Sequence, residues 1–123
     1  MSLRTATKYE VELSNTKCFT WKDASIINPI INAIAEEDAE FCDENWVYSE
    51  EIKANREKLL ANLDKLIKPD KTWEFHEDLE FQLNRIEKCH NSNTMTRENI
   101  YNKLKELIEQ SDSRNKYVYF FWE

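Results

Sequence analysis

Tyr117-Val118-Tyr119-Phe120-Phe121-Trp122 is a run of six residues without a charge, a glycine or a proline. Every member is β-branched or aromatic, the composition with the highest strand preference. Left bare, such a segment templates aggregation, so the fold has to cover it. The simplest cover is a place inside a small sheet with helices packed against it, and the preceding chain reads as the material for that cover.

Lys8 to Leu13 alternates charged and apolar residues with period two, the pattern of a half-buried strand, and Lys17 to Trp21 is a second short strand-like run after the turn residues Ser14-Asn15-Thr16. Either piece is a candidate partner for the aromatic run. Asn28-Pro29 reads as a helix start, Asn as cap and Pro in the first helical position, with Asp23 to Ile27 as a separate turn or one-turn helix. Ile30, Ile34 and Phe41 then fall near one face. Ser49 reads as the cap of a second helix whose stripe is Ile52, Arg56, Leu59, Leu63 and Leu66, ending at Lys68-Pro69-Asp70. Thr72 is the expected cap of a third helix with Phe75, Leu79, Leu83 and Ile86 inward. Thr96 caps a fourth, in which Ile100, Tyr101, Leu104, Leu107 and Ile108 form an apolar face and Met95 staples to Ile100. The expected class is α+β, predominantly helical: about four helices on a two- or three-stranded antiparallel sheet made from the N- and C-terminal segments. Residues 1–123 read as a single domain, with 1–3 and 123 as candidate additions to the natural chain.

The chain contains no glycine among its 123 residues. A P-loop, a G-x-G-x-x-G turn, a nucleophile elbow and an EF-hand glycine are therefore all excluded. Turns fall to Asn, Asp, Ser and Pro. The 24 acidic residues exceed the 17 basic ones, which disfavours a nucleic-acid binder that needs a basic face. Cys18, Cys42 and Cys89 are odd in number and lack a C-x-x-C pair, a pattern of the reducing cytoplasm rather than of a stapled secreted domain. No apolar run reaches membrane-span length, and neither a membrane nor a cofactor is implied.

The strongest surface signal is charge. Glu36, Glu37, Asp38, Glu40, Asp43, Glu44, Glu50 and Glu51 are eight acids in a stretch without a base, enclosing Trp46-Val47-Tyr48. A dense negative patch beside Trp46 or Tyr48 is what a binder of basic proteins presents: charge raises the encounter rate and the aromatic anchors. The plain alternative is a solvated loop between helix ends. Arg56, in the middle of an apolar stripe, either finds a structural partner or reads an anion on a partner. Phe81 projects opposite Leu79, Leu83 and Ile86, so it is either covered by a second layer or part of a contact surface, and Trp73 shares that ambiguity.

One constellation points to metal. His76 and Glu80 have i,i+4 spacing, and Glu87-x-x-His90 has the spacing found in carboxylate-bridged di-metal bundles, which however need a second such motif. His76 and His90 are fourteen residues apart, about 21 Å along a helix, too far for one ion. The function expected from these signals is a small acidic, non-catalytic interaction or regulatory module (inhibitor, immunity-like or adaptor) that binds a basic protein through Glu36–Glu51. The alternative is a small metal protein or enzyme using His76, Glu80, Glu87 and His90. Whether the chain acts as a monomer or a homodimer is open at this point.

Overall fold

The computed structural model describes residues 3–5, 19, 23–45, 48–89 and 96–122, without the side chains of residue 4 and residues 87–89. In order, the elements are β1 (Leu3–Thr5), α1 (Ala24–Ile34), β2 (Glu40–Phe41), β3 (Glu51–Asn55), α2 (Arg56–Asn62) running into a 3-10 turn (Leu63–Leu66), α3 (His76–Cys89), α4 (Arg97–Gln110) and β4 (Tyr117–Trp122). The class is α+β, with four helices against an antiparallel sheet of order β1-β4-β3-β2.

The aromatic run is β4, an interior strand paired on both sides: Trp122 stands opposite Leu3 of β1, and Phe121 opposite Glu51 of β3. Its side chains alternate as a pleated strand requires. Val118, Phe120 and Trp122 are buried, while Tyr117, Tyr119 and Phe121 are half-buried on the opposite face. The inner face meets α1, whose Ala24, Ile26, Ile27, Ile30, Ile31, Ala33 and Ile34 are all buried. Apart from a polar stripe of Ser25, Asn28 and Asn32 the helix is apolar, which suits a central place in the fold, and α1 packs on α3, α2 and β3. Leu79, Leu83 and Ile86 of α3 and Ile100, Leu104, Leu107 and Ile108 of α4 complete one contiguous core.

Three expectations need correction. First, α1 begins at Ala24 and carries Pro29 inside it rather than at its start. Asn28 is no cap: buried, it accepts from Trp122 Nε1 at 2.8 Å and donates Nδ2 to the Ser49 carbonyl at 3.2 Å. Burial of seven apolar residues beside Pro29 outweighs the local penalty of an interior proline. Second, residues 51–55 form β3, not the start of a helix. Ile52 and Ala54 are buried between the more exposed Glu51, Lys53 and Asn55, a period-two signal hidden inside a stripe of helical spacing. The helix begins only after Asn55, whose Oδ1 accepts from the Lys58 amide at 3.1 Å. Third, α3 starts at His76. Thr72 instead belongs to a turn in which its amide donates to Asp70 Oδ1 at 3.0 Å.

Thr96 caps α4 as expected, accepting from the Asn99 amide at 3.1 Å. The proposed strands at 8–13 and 17–21, and the staple through Met95, lie outside the described residues, apart from Phe19. That residue is buried, and its carbonyl accepts from the Leu3 amide at 3.2 Å. Turns are built without glycine as anticipated: Asp43, Asp70, Asp112 and Asn115 each accept, through Oδ1, the amide two residues ahead. The exception is the end of α1, where Glu36 and Glu37 both take the left-handed conformation at φ 58° that glycine would adopt without steric cost.

Candidate functional site: an acidic rim on an aromatic sheet face

The eight acids do not form one patch. The end of α1 turns Glu36, Glu37 and Asp38 toward the helices. Glu36 Oε2 accepts from Asn62 Nδ2 at 3.0 Å, and Asp38 pairs with Lys58 at 2.9 Å. Hydrogen bonding to Lys58 lies behind the rise in that ammonium's pKa. Glu37 meets Asp78 and Glu74 of the α3 approach. A hydrogen bond shared with Asp78, then burial, then the charges of Asp78 and Glu74, hold its carboxyl above the ordinary value.

The second group faces the other way. Glu40 stands opposite Lys53 in the ladder, and Lys53 opposite Tyr119, so β2, β3 and β4 place these three side chains in one row on the open face of the sheet. Glu51, opposite Phe121, begins the neighbouring row. Lys53 Nζ lies 3.8 Å from Glu40 and 4.2 Å from the centre of the Tyr117 ring. A cavity of about 270 Å³ opens here, lined by Glu40, Cys42, Glu51, Lys53, Tyr119 and Phe121 among others. Glu44, Glu50 and Glu51 are exposed and make no ion pair among the described residues.

Ser49 fixes the loop that frames this cavity. Fully buried, its hydroxyl donates to the Glu51 carbonyl at 2.8 Å and accepts from the Cys42 amide at 3.0 Å. Cys42 is an exposed free thiol with Sγ 3.2 Å from that hydroxyl. Tyr48 is 51% exposed. Trp46, the other proposed anchor, lies outside the described residues.

Arg56 has a structural role. Its Nε donates to the Asn115 carbonyl at 2.9 Å, Nη1 to Ser111 Oγ at 2.7 Å and to the Ile108 carbonyl at 3.3 Å, and Nη2 to the Asp112 carbonyl at 2.6 Å. The guanidinium thus closes the C-terminus of α4, where free carbonyls and the helix dipole both favour a cation. Burial lowers its pKa and Asp112 opposes that shift.

Phe81 is 63% exposed, one turn beyond Asp78, and among the described residues no second layer covers it. Trp73, by contrast, packs on the core edge-on to Phe75, with the rings 5.7 Å apart and Lys65 Nζ 4.8 Å above the indole. Of the proposed metal ligands, Glu80 is paired with Arg97, which also donates to the Leu66 carbonyl at 3.2 Å. The side chain of Glu87 and all of His90 lie outside the described residues. Among the described residues no group of three His, Cys, Asp or Glu side chains converges as a metal site would require, and no helix is long and apolar enough to cross a membrane.

Sequence reasoning found the acids and the aromatics but missed that they meet. With 117–122 a strand, period-two alternation puts Tyr119 and Phe121 on one face, and the non-local pairing of β3 with β4 brings Glu51 and Lys53 beside them. No protein-family model, curated protein or solved structure matches the chain.

Proposed function

We propose that this protein is a non-catalytic binding module that captures a basic protein partner through the open face of its sheet and the acidic loop bordering it. The observation that supports this reading most is the grouping of Glu40, Glu51, Tyr119 and Phe121 around one cavity. Carboxylates beside half-exposed rings combine long-range attraction for a cationic partner with apolar area to hold it. Glu44 and Glu50, unpaired among the described residues, extend the negative field over the rim. The Glu36–Asp38 group takes a smaller part, because it turns toward the helices, where Glu36 meets Asn62, Asp38 meets Lys58 and Glu37 meets Asp78, and not onto the open face of the sheet. An inhibitory, immunity-like or adaptor role fits such a surface, and the exposed Cys42 thiol fits a reducing cytoplasm.

The test is charge reversal on an identified partner. Partners retained by the immobilised protein at low salt and released at high salt are purified and titrated against the parent and against a Glu40→Lys, Glu44→Lys, Glu50→Lys variant. The proposal predicts a loss of affinity of at least tenfold and a shallower salt dependence. Unchanged affinity in a variant with the parent's unfolding midpoint would end it.

A further inference from the structure

Within that cavity the geometry points to a more specific occupant: we infer that it receives an arginine side chain from a basic segment of the partner. This rests on the binding-surface reading above and adds the chemistry of the contact. The volume, about 270 Å³, falls below the roughly 300–1,000 Å³ of sites that enclose small-molecule ligands. It suits one long side chain entering from a partner. The lining combines the aromatic residues Tyr119 and Phe121 with the acids Glu40 and Glu51, and Lys53 stands among them. A cation with an apolar, planar body satisfies both at once.

The protein's own lysine shows how this face treats a cation. Lys53 extends its ammonium toward Tyr117, 4.2 Å from the ring centre, and stays 3.8 Å from Glu40. That neutralises the Glu40 end of the row. Glu51 lies on the diagonal from Tyr119, because it pairs with Phe121 while Tyr119 pairs with Lys53. Diagonal neighbours on one sheet face are within reach of long side chains. Glu51 is exposed and has no ion pair among the described residues. A guanidinium laid flat on Tyr119 can direct its fork of N–H donors at the Glu51 carboxylate, stacking and pairing in the same pose. An ammonium, a compact and strongly hydrated charge, does only one of these well. Arginine is therefore preferred to lysine.

Hexa-arginine and hexa-lysine peptides, equal in charge, are the probes. The full chain is titrated with each at low salt while three signals are followed: the ring resonances of Tyr119, the backbone amides of residues 43–45, and the rate of Cys42 alkylation by iodoacetamide, mapped by mass spectrometry. The expected result is that hexa-arginine binds about tenfold more tightly than hexa-lysine, moves the Tyr119 ring and slows Cys42 alkylation. Glu51→Gln and Tyr119→Leu should each bring the two affinities together. The ring and thiol signals come from the parent protein and do not depend on either variant folding. If both peptides bind equally and shift residues 43–45 without moving Tyr119, the arginine site is refuted and the acidic surface stands. If neither peptide binds at low salt, both readings fall.

Discussion

Pro29 lacks an N–H, so the Ser25 carbonyl one turn earlier loses its donor within α1. Arg85 of α3 supplies one, Nη1 lying 3.3 Å from that oxygen and 2.9 Å from Gln82 Oε1. The arginine compensates for the proline across a helix–helix contact. Arg85→Ala is expected to cost about 1–2 kcal/mol. In a Pro29→Ala background, where the backbone donor is restored, most of that cost should disappear. Urea unfolding of the parent, the two single variants and the double variant measures the coupling, and strictly additive losses would refute it. A second residue-scale prediction concerns Glu37. Its carboxyl is raised in the folded state by Asp78 and Glu74, so between the unfolded and folded pKa the native state binds more protons than the unfolded one. Stability contributed by this group therefore falls as pH rises through that window. Glu37→Gln should raise the unfolding midpoint at neutral pH, with the gain shrinking in acid and in high salt because the site is exposed. A gain independent of both would point to the left-handed backbone at this position (φ 58°) rather than to charge.

At the scale of elements, α4 shows how the ends of a helix are secured. Thr96 closes its start, and Arg56 binds the carbonyls of Ile108 and of the turn beyond it. Thr96→Ala should cost about 1 kcal/mol. Arg56→Ala should cost about 2–3 kcal/mol because several acceptors lose a charged donor together. Arg56→Lys should recover less than half, since a point charge cannot serve a planar fork of acceptors. Thermal unfolding distinguishes these outcomes, and a full rescue by lysine would show that charge alone matters at α4. These local features divide what was legible in the sequence from what was not. The body of α4 and its cap are written in adjacent residues and could be read directly. β3 could not, because Ile52, Arg56 and Leu59 also satisfy helical spacing; the strand wins through pairing with β4, more than sixty residues away. Pro29 argued for a helix start on local grounds; its interior position rests on non-local terms, the burial of α1 in the core and the donor that Arg85 supplies from another helix. The acids of the candidate site were visible as composition, but their division between helix side and sheet face depends on the turn after α1 and the loop anchored by buried Ser49.

For the molecule as a whole, β4 joins the core to the candidate surface. One row of its side chains is continuous with α1, and the other forms the aromatic floor beside Glu40, Glu51 and Lys53. The two roles share a backbone, so the surface is rigid in proportion to the core beneath it. The sheet edge at β2 is only two residues long and bears Glu40, features that discourage edge-to-edge pairing and leave the face as the contact area. The division of β4 into an inner and an outer row is the claim on which both the architecture and the binding surface depend. Its most direct test is the difference in unfolding free energy between Phe120→Ala and Phe121→Ala. Phe120→Ala should cost about 3–5 kcal/mol as a buried ring replaced by a cavity, and Phe121→Ala about 1 kcal/mol as a cross-strand surface contact. Equal costs, or the reverse order, would contradict the account.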